Sequence, residues 1–188
     1  MNVMEEFLQK NIITVSVRSL VEFILRSGDI DNRRKGGQDV ALMLEGARIH
    51  RMIQQRMGSD YHAEVPLKKT VCLNDYDIVI EGRADGIIHN EDSYVIDEIK
   101  TVYMDIDRIR EPVMVHLAQA KCYAFIFAEQ EELKEITVRM TYVNQITMET
   151  KYFHETYTFG EIKRWFETIV DQYRRWADFE FTFKKNLL

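Results

Sequence analysis

The chain has little of what marks the specialised protein classes. Its 188 residues include two cysteines, Cys72 and Cys122. They lie far apart and at no metal-ligand spacing, which excludes a disulfide framework or a zinc knuckle. Both read as buried, reduced thiols. Two prolines and eight glycines leave little room for a flexible linker. The longest apolar run, "YAFIFA", is far too short to cross a bilayer. The opening "MNVMEEFLQK" is acidic and lacks the apolar stretch of a signal peptide. No internal repeat or low-complexity tract is visible. An excess of positive charge is missing too. The formal net charge of −6 excludes a uniformly basic nucleic-acid coat, though not a local basic path. What is present is an ordinary globular mix, 46% hydrophobic, enough to give one domain over residues 1–188 a sizeable core. The expectation is a soluble, intracellular, cytoplasmic protein with no membrane partner.

Periodicity places the elements. "SVRSLVEFILRSG" reads as a first helix and "QDVALMLEGARIHRMIQQRMG" as a second. In the second, Leu42, Gly46, Ile49, Ile53 and Met57 fall roughly on one stripe, and Gly58 is the stop. "HAEVPLKKTVCL" and "YDIVIEGRADGII" read as a hairpin about the turn dipeptide Asn74-Asp75, and "NEDS" turns the chain into a third strand, "YVIDEIK". A loop holding Pro112 leads to a helix, "VMVHLAQAKCYAFIFAEQ". Two more strands follow, "EITVRMTYVN" and "TKYFHETYTF". The last helix opens on a capping box, Thr158 with Glu161, and carries the apolar stripe Ile162, Trp165, Phe166, Ile169, Tyr173, Trp176. This order predicts an α/β sandwich, a mixed central β-sheet flanked by helices.

One stretch carries charge where a buried strand should avoid it. "EGRADGIIHNEDSYVIDEIKT" places Asp85 on one strand and Asp97, Glu98 and Lys100 on the next. Side chains alternate along a strand, so Glu98 and Lys100 share a face, and Asp97 and Ile99 take the other. If the strands are neighbours, Asp85 and Glu98 converge. Paired carboxylates repel unless a cation lies between them, and an oxygen-rich site suits Mg²⁺ or Mn²⁺. A lysine beside such a site holds a phosphate oxygen or orients the attacking water. The competing readings are a structural Glu98–Lys100 ion pair, and Asp97 as the ligand in place of Glu98.

"GRAD" followed by "VIDEIKT" resembles the active-site core of the PD-(D/E)XK nucleases, of the RecB-like exonuclease kind. Upstream, "GARIH" (Gly46 to His50) resembles that family's Gly-x-x-x-His helix motif, whose histidine helps bind metal. Downstream, "QAKCY" resembles its Gln-x-x-x-Tyr motif, with His116 one turn before Gln119. The matches span residues 46–123, in the family's order. The resemblance implies a restriction-endonuclease-like fold. It implies that His50, Asp85, Glu98 and the Ile99 carbonyl bind Mg²⁺ or Mn²⁺, that Asp85, Glu98 and Lys100 are catalytic, and that Gln119 and Tyr123 support them near the metal. Glu64 resembles a family acid on the preceding strand, or is a solvent-facing strand residue. Some RecB-like exonucleases, CRISPR-associated ones among them, hold an iron–sulfur cluster on four cysteines. This chain has two, neither so placed, so no cluster is expected.

Basic residues gather near the motifs: Arg33, Arg34 and Lys35, then Arg48, Arg51 and Arg56, then Lys68, Lys69 and Arg83, then Arg108 and Arg110. Arg48, Arg51, Arg83 and Arg108, with Tyr103 as a stacking residue, are the DNA-binding candidates. "DIDNRRKGG" and "VYMDIDRIREP" are the candidate contact loops. The function expected is a metal-dependent deoxyribonuclease. It would be an exonuclease on single strands or ends in DNA repair or recombination, leaving 5′-phosphate products. The rival is a non-catalytic nuclease-fold module that binds DNA or a partner. The likeness to nuclease modules fused in front of helicases implies a helicase, fused or associated, as partner and a longer parent chain.

Overall fold

The computed structural model describes residues 10–26 and 38–186. The elements run β1 (Asn11–Ser16), α1 (Val17–Arg26), α2 (Gln38–Arg56), β2 (Tyr61–Cys72), β3 (Tyr76–Asn90), β4 (Ser93–Val102), a 3₁₀ turn (Ile106–Arg108), α3 (Met114–Gln130), β5 (Glu135–Asn144), β6 (Thr150–Thr158) and α4 (Phe159–Asn186). They form the expected mixed sheet flanked by helices, consistent with a restriction-endonuclease-like fold. The loop at residues 29–37, with Arg33, Arg34 and Lys35, lies outside the described residues.

Local sequence sets the boundaries. Ser16 ends β1 and caps α1, its hydroxyl accepting from the Ser19 amide at 3.0 Å. Thr158 and Glu161 form the capping box of α4: the Glu161 carboxylate accepts from the Thr158 amide at 2.8 Å, and Thr158 Oγ1 from the Glu161 amide at 3.2 Å. Ile162, Phe166, Ile169 and Tyr173 of the stripe are buried, whereas Trp176 stays partly exposed beside Phe23. Three expectations fail, the third on α2 below. Strand β1 precedes the first helix, where none was anticipated. Cys72 is exposed at the free end of β2, which pairs among the described residues only with β3; Cys122 is buried.

The sheet forks, and the fork makes the site. β2 pairs antiparallel with β3 along almost its whole length, filling one edge of β3. The other edge is shared. β1 runs parallel to it at Tyr76–Glu81, and β4 runs antiparallel to it at Gly86–Asn90. Between them, among the described residues, no strand lies beside Gly82 to Asp85 on that side. From Asp97 onward β4 leaves β3 and continues beside β5. The side-chain alternation of β3 slips at the same point: Ile78, Ile80 and Ala84 reach the main core, but beyond the gap Ile87 does, not Gly86.

Helices α1, α3 and α4 pack over one face and form the main core. On the other face α2 seats Ile49 and Ile53 on Ile99 and Val143. Burial of each such isoleucine contributes about 1.5–3 kcal/mol. Gly46 lets this helix approach closely, since a Cβ there would lie 3.2 Å from Thr101 Oγ1. Leu42, expected on the buried stripe, is exposed, because α2 at that point lies beyond the smaller core.

Candidate functional site

A forked sheet leaves backbone groups without ladder partners, and side chains take their place. On β4, the Ile99 amide donates to Asp85 Oδ2 at 2.7 Å. The amide and carbonyl of a strand residue face the same edge, so the Ile99 carbonyl turns toward the fork as well. On β3, the Tyr123 hydroxyl packs against Gly82, where a Cβ would lie 2.7 Å from it. Asp85 thus bridges β3 to β4 across the fork, and Tyr123 from α3 fills the space above Gly82.

The charged groups meet there. Asp85 Oδ1 lies 3.8 Å from His50 Nδ1, delivered by α2. Glu98 lies across from Asp85 on β4. It is 4% exposed, and its Oε1 accepts from Lys100 Nζ at 2.7 Å. Its Oε2 is buried with no hydrogen-bond partner among the described residues, as is Oε1 of Gln119 on α3. Among the described residues no three His, Cys, Asp or Glu side chains close into a finished metal cage. Asp85 and Glu98 are each turned toward their own partner.

The electrostatics describe a site short of positive charge. Burial, and next the Glu98 charge, push the Asp85 carboxyl up to about 8. Burial raises Glu98 as well, against the opposing pull of Lys100. Burial, with Lys100 nearby, lowers His50, so its ring is neutral at pH 7 and free to ligate. Two destabilised carboxylates, one orphaned buried oxygen and a neutral imidazole fit a divalent cation.

Asp97 faces away from this site and is already committed. It is 0% exposed. Arg139 binds it through Nε and Nη2, both at 2.9 Å, and Tyr61 and Thr141 donate to it. It has no vacant oxygen for a metal.

On α3, His116, Gln119 and Tyr123 share the face turned to Glu98 and Lys100. His116 Nδ1 lies 3.2 Å from the Tyr142 hydroxyl, which accepts from the Val113 amide at the start of the helix. Burial pushes His116 down to about 4, so the ring is neutral.

The DNA-binding candidates are less gathered. Arg48 is exposed but bound to Glu45 one turn back, at 2.7 and 3.0 Å. Arg51 and Arg108 are exposed, Arg83 lies 3.8 Å from Glu64, and Tyr103 is 51% exposed just after β4. A groove of about 420 Å³ between β2, α3 and α4, lined by Lys69, Cys72, Phe125 and Arg174 among others, lies apart from the site.

Sequence reasoning missed Gln54 and left Glu64 undecided. Gln54 Nε2 donates to the Asp85 carbonyl at 2.8 Å and to Glu64 Oε1 at 2.9 Å. Its signal was present: Gly46, His50 and Gln54 recur every four residues on one face of α2.

Comparisons with known proteins agree with this frame. No curated protein matches the chain. A solved structure described as "Crystal structure of SSO0001" superposes with a TM-score of 0.52 at 18% identity, over 90% of this chain and 81% of that one, a likeness of fold alone. The sequence profile of the PD-(D/E)XK nuclease superfamily matches residues 6–186. Nucleases of this superfamily generally use divalent metals such as Mg²⁺ or Mn²⁺. With a match over nearly its whole length, the chain belongs to the PD-(D/E)XK nuclease superfamily.

Proposed function

We propose that the protein is a divalent-metal-dependent deoxyribonuclease of the RecB-like kind, an exonuclease on single strands or ends that serves DNA repair or recombination. The observation that carries the catalytic reading is Glu98. Its carboxylate is buried beside Asp85, with one oxygen on Lys100 and the other without a partner. A carboxylate kept there at a cost to stability is expected of a functional site.

Asp85, Glu98, His50 and the Ile99 carbonyl are the groups that would hold the cation. When bound, it supplies positive charge to the phosphate and makes water a better nucleophile. Lys100 holds a proton on Nζ for a non-bridging phosphate oxygen as charge develops there. Gln119 carries an amide for the same region, and Tyr123 stays protonated, since burial and then the Glu98 charge raise its pKa. Water adds to phosphorus as the bond to the 3′ oxygen breaks; the water releases one proton to solvent, the leaving 3′ oxygen takes one up, and the product keeps a 5′ phosphate. Arg51, Arg83, Arg108 and Tyr103 are the remaining candidates for strand contact, with Arg48 free to join once released from Glu45. A helicase, fused or associated, is the partner this activity would serve in the cytoplasm.

The test is Lys100→Ala on labelled single-stranded DNA with Mn²⁺, with thermal melts in parallel. Cleavage should fall by about two to three orders of magnitude. A folded variant that cuts at the wild-type rate removes the catalytic role. A wild type inert with every metal and DNA form points instead to the non-catalytic binding module.

A further inference from the structure

The β2–β3 ladder is regular from Tyr61 to Cys72 with one omission. Ala63 pairs with Gly86 and Val65 with Ala84, but Glu64, whose register partner is Asp85, makes no bridge. Its φ is 56°, in the left-handed region that a side chain disfavours. Gln54 reaches both residues at this break. Its amide nitrogen spends one proton on the Asp85 carbonyl, at 2.8 Å, and the other on the Glu64 carboxylate, at 2.9 Å. Both partners are pure acceptors, so the amide can face them only nitrogen first.

Gln54 also lies one turn after His50. The same helix face therefore touches Asp85 twice, at the carboxylate through His50 and at the backbone through Gln54. The Glu64 carboxylate is half exposed and also lies 3.8 Å from Arg83, so Gln54 links the exposed edge of β2 to the Asp85 backbone.

We propose that Gln54 is a positioning residue of the metal site: it braces the Asp85 backbone where the β2–β3 ladder breaks and ties the left-handed Glu64 to it. This rests on the reading of Asp85 as a metal ligand. Strained backbone persists where surrounding contacts fix it, and it concentrates at functional sites. Outer-shell partners of this sort set ligand orientation and carry roughly 10–100-fold in metal affinity.

The test is calorimetric titration of Mn²⁺ into DNA-free protein, with thermal melts. Gln54→Met keeps the length and removes both donors; Gln54→Glu sets an acceptor against two acceptors, and serves if the first variant does not fold. Each should weaken Mn²⁺ binding roughly 10-fold or more. Glu64→Gly, which suits a left-handed φ, should melt no lower than wild type yet bind Mn²⁺ more weakly. Folded Gln54 variants with wild-type Mn²⁺ affinity and only a lowered melting temperature overturn the proposal. Asp85→Ala, run alongside, separates the two levels. If it abolishes binding while the Gln54 variants bind normally, only the role of Gln54 falls. If it binds like wild type, the metal-site reading falls, and this inference with it.

Discussion

A side chain on Gly82 would occupy the place of the Tyr123 hydroxyl: its Cβ would lie 2.7 Å from that oxygen and 2.9 Å from Cε1 of the ring. Two motifs far apart in sequence are thus the two halves of one contact. The glycine leaves β3 bare at the fork, and the tyrosine from α3 fills the opening.

Gly82→Ala should accordingly displace Tyr123 and destabilise the fold by about 1–3 kcal/mol, as overpacking does. In a Tyr123→Leu background the same substitution should cost much less, because the clashing ring is gone. Urea unfolding of the four proteins in a double-mutant cycle measures the coupling. Strictly additive costs would show that the contact explains neither residue.

Asp85 gives a pH prediction. Its carboxyl is raised to about 8, chiefly by burial and then by Glu98. The native state therefore keeps a proton that the unfolded chain has released. The resulting stability is fully present below the unfolded pKa, about 4, and is lost as pH rises through about 8. In EDTA, the melting temperature of wild type minus that of Asp85→Asn should fall across this window. Mn²⁺ should raise the wild-type value most at the alkaline end, where a cation takes the place of the proton. Parallel curves for the two proteins in EDTA would contradict the shift.

The elements were legible because their patterns are local. The Thr158–Glu161 box and the Ile162–Tyr173 stripe of α4 need only neighbours in sequence. β1 was not legible: "NIITVS" runs into α1 without a turn, and its partner is Tyr76–Glu81, far along the chain. The facing of Glu98 and Lys100 follows from simple alternation, but the setting of Asp85 does not. It depends on a slip in alternation beside a strand fork, and on a left-handed Glu64 that no glycine or asparagine announces. Gln54 was hidden for the same reason, since its role exists only where the ladder fails.

Asp97 and Glu98 are adjacent, both buried and both acidic, yet they should respond to neutralisation in opposite ways. Asp97 is the anchor of a satisfied network of Arg139, Tyr61 and Thr141. Asp97→Asn leaves the largely buried Arg139 guanidinium without its counter-charge, a loss of about 3–5 kcal/mol. Glu98 has a carboxylate oxygen with no partner and a second carboxylate across the fork. Glu98→Gln keeps the shape, leaves an oxygen for Lys100 and removes the repulsion with Asp85. Its stability should match or exceed wild type, while Mn²⁺ binding and cleavage are lost. Urea unfolding and Mn²⁺ calorimetry on both variants decide between the two acids. A stable Asp97→Asn with no metal affinity, beside a destabilised Glu98→Gln that still binds Mn²⁺, would reverse the assignment. The expected split has a physical origin: a structural acid is placed where every oxygen is already bonded, and a ligand where one is left vacant.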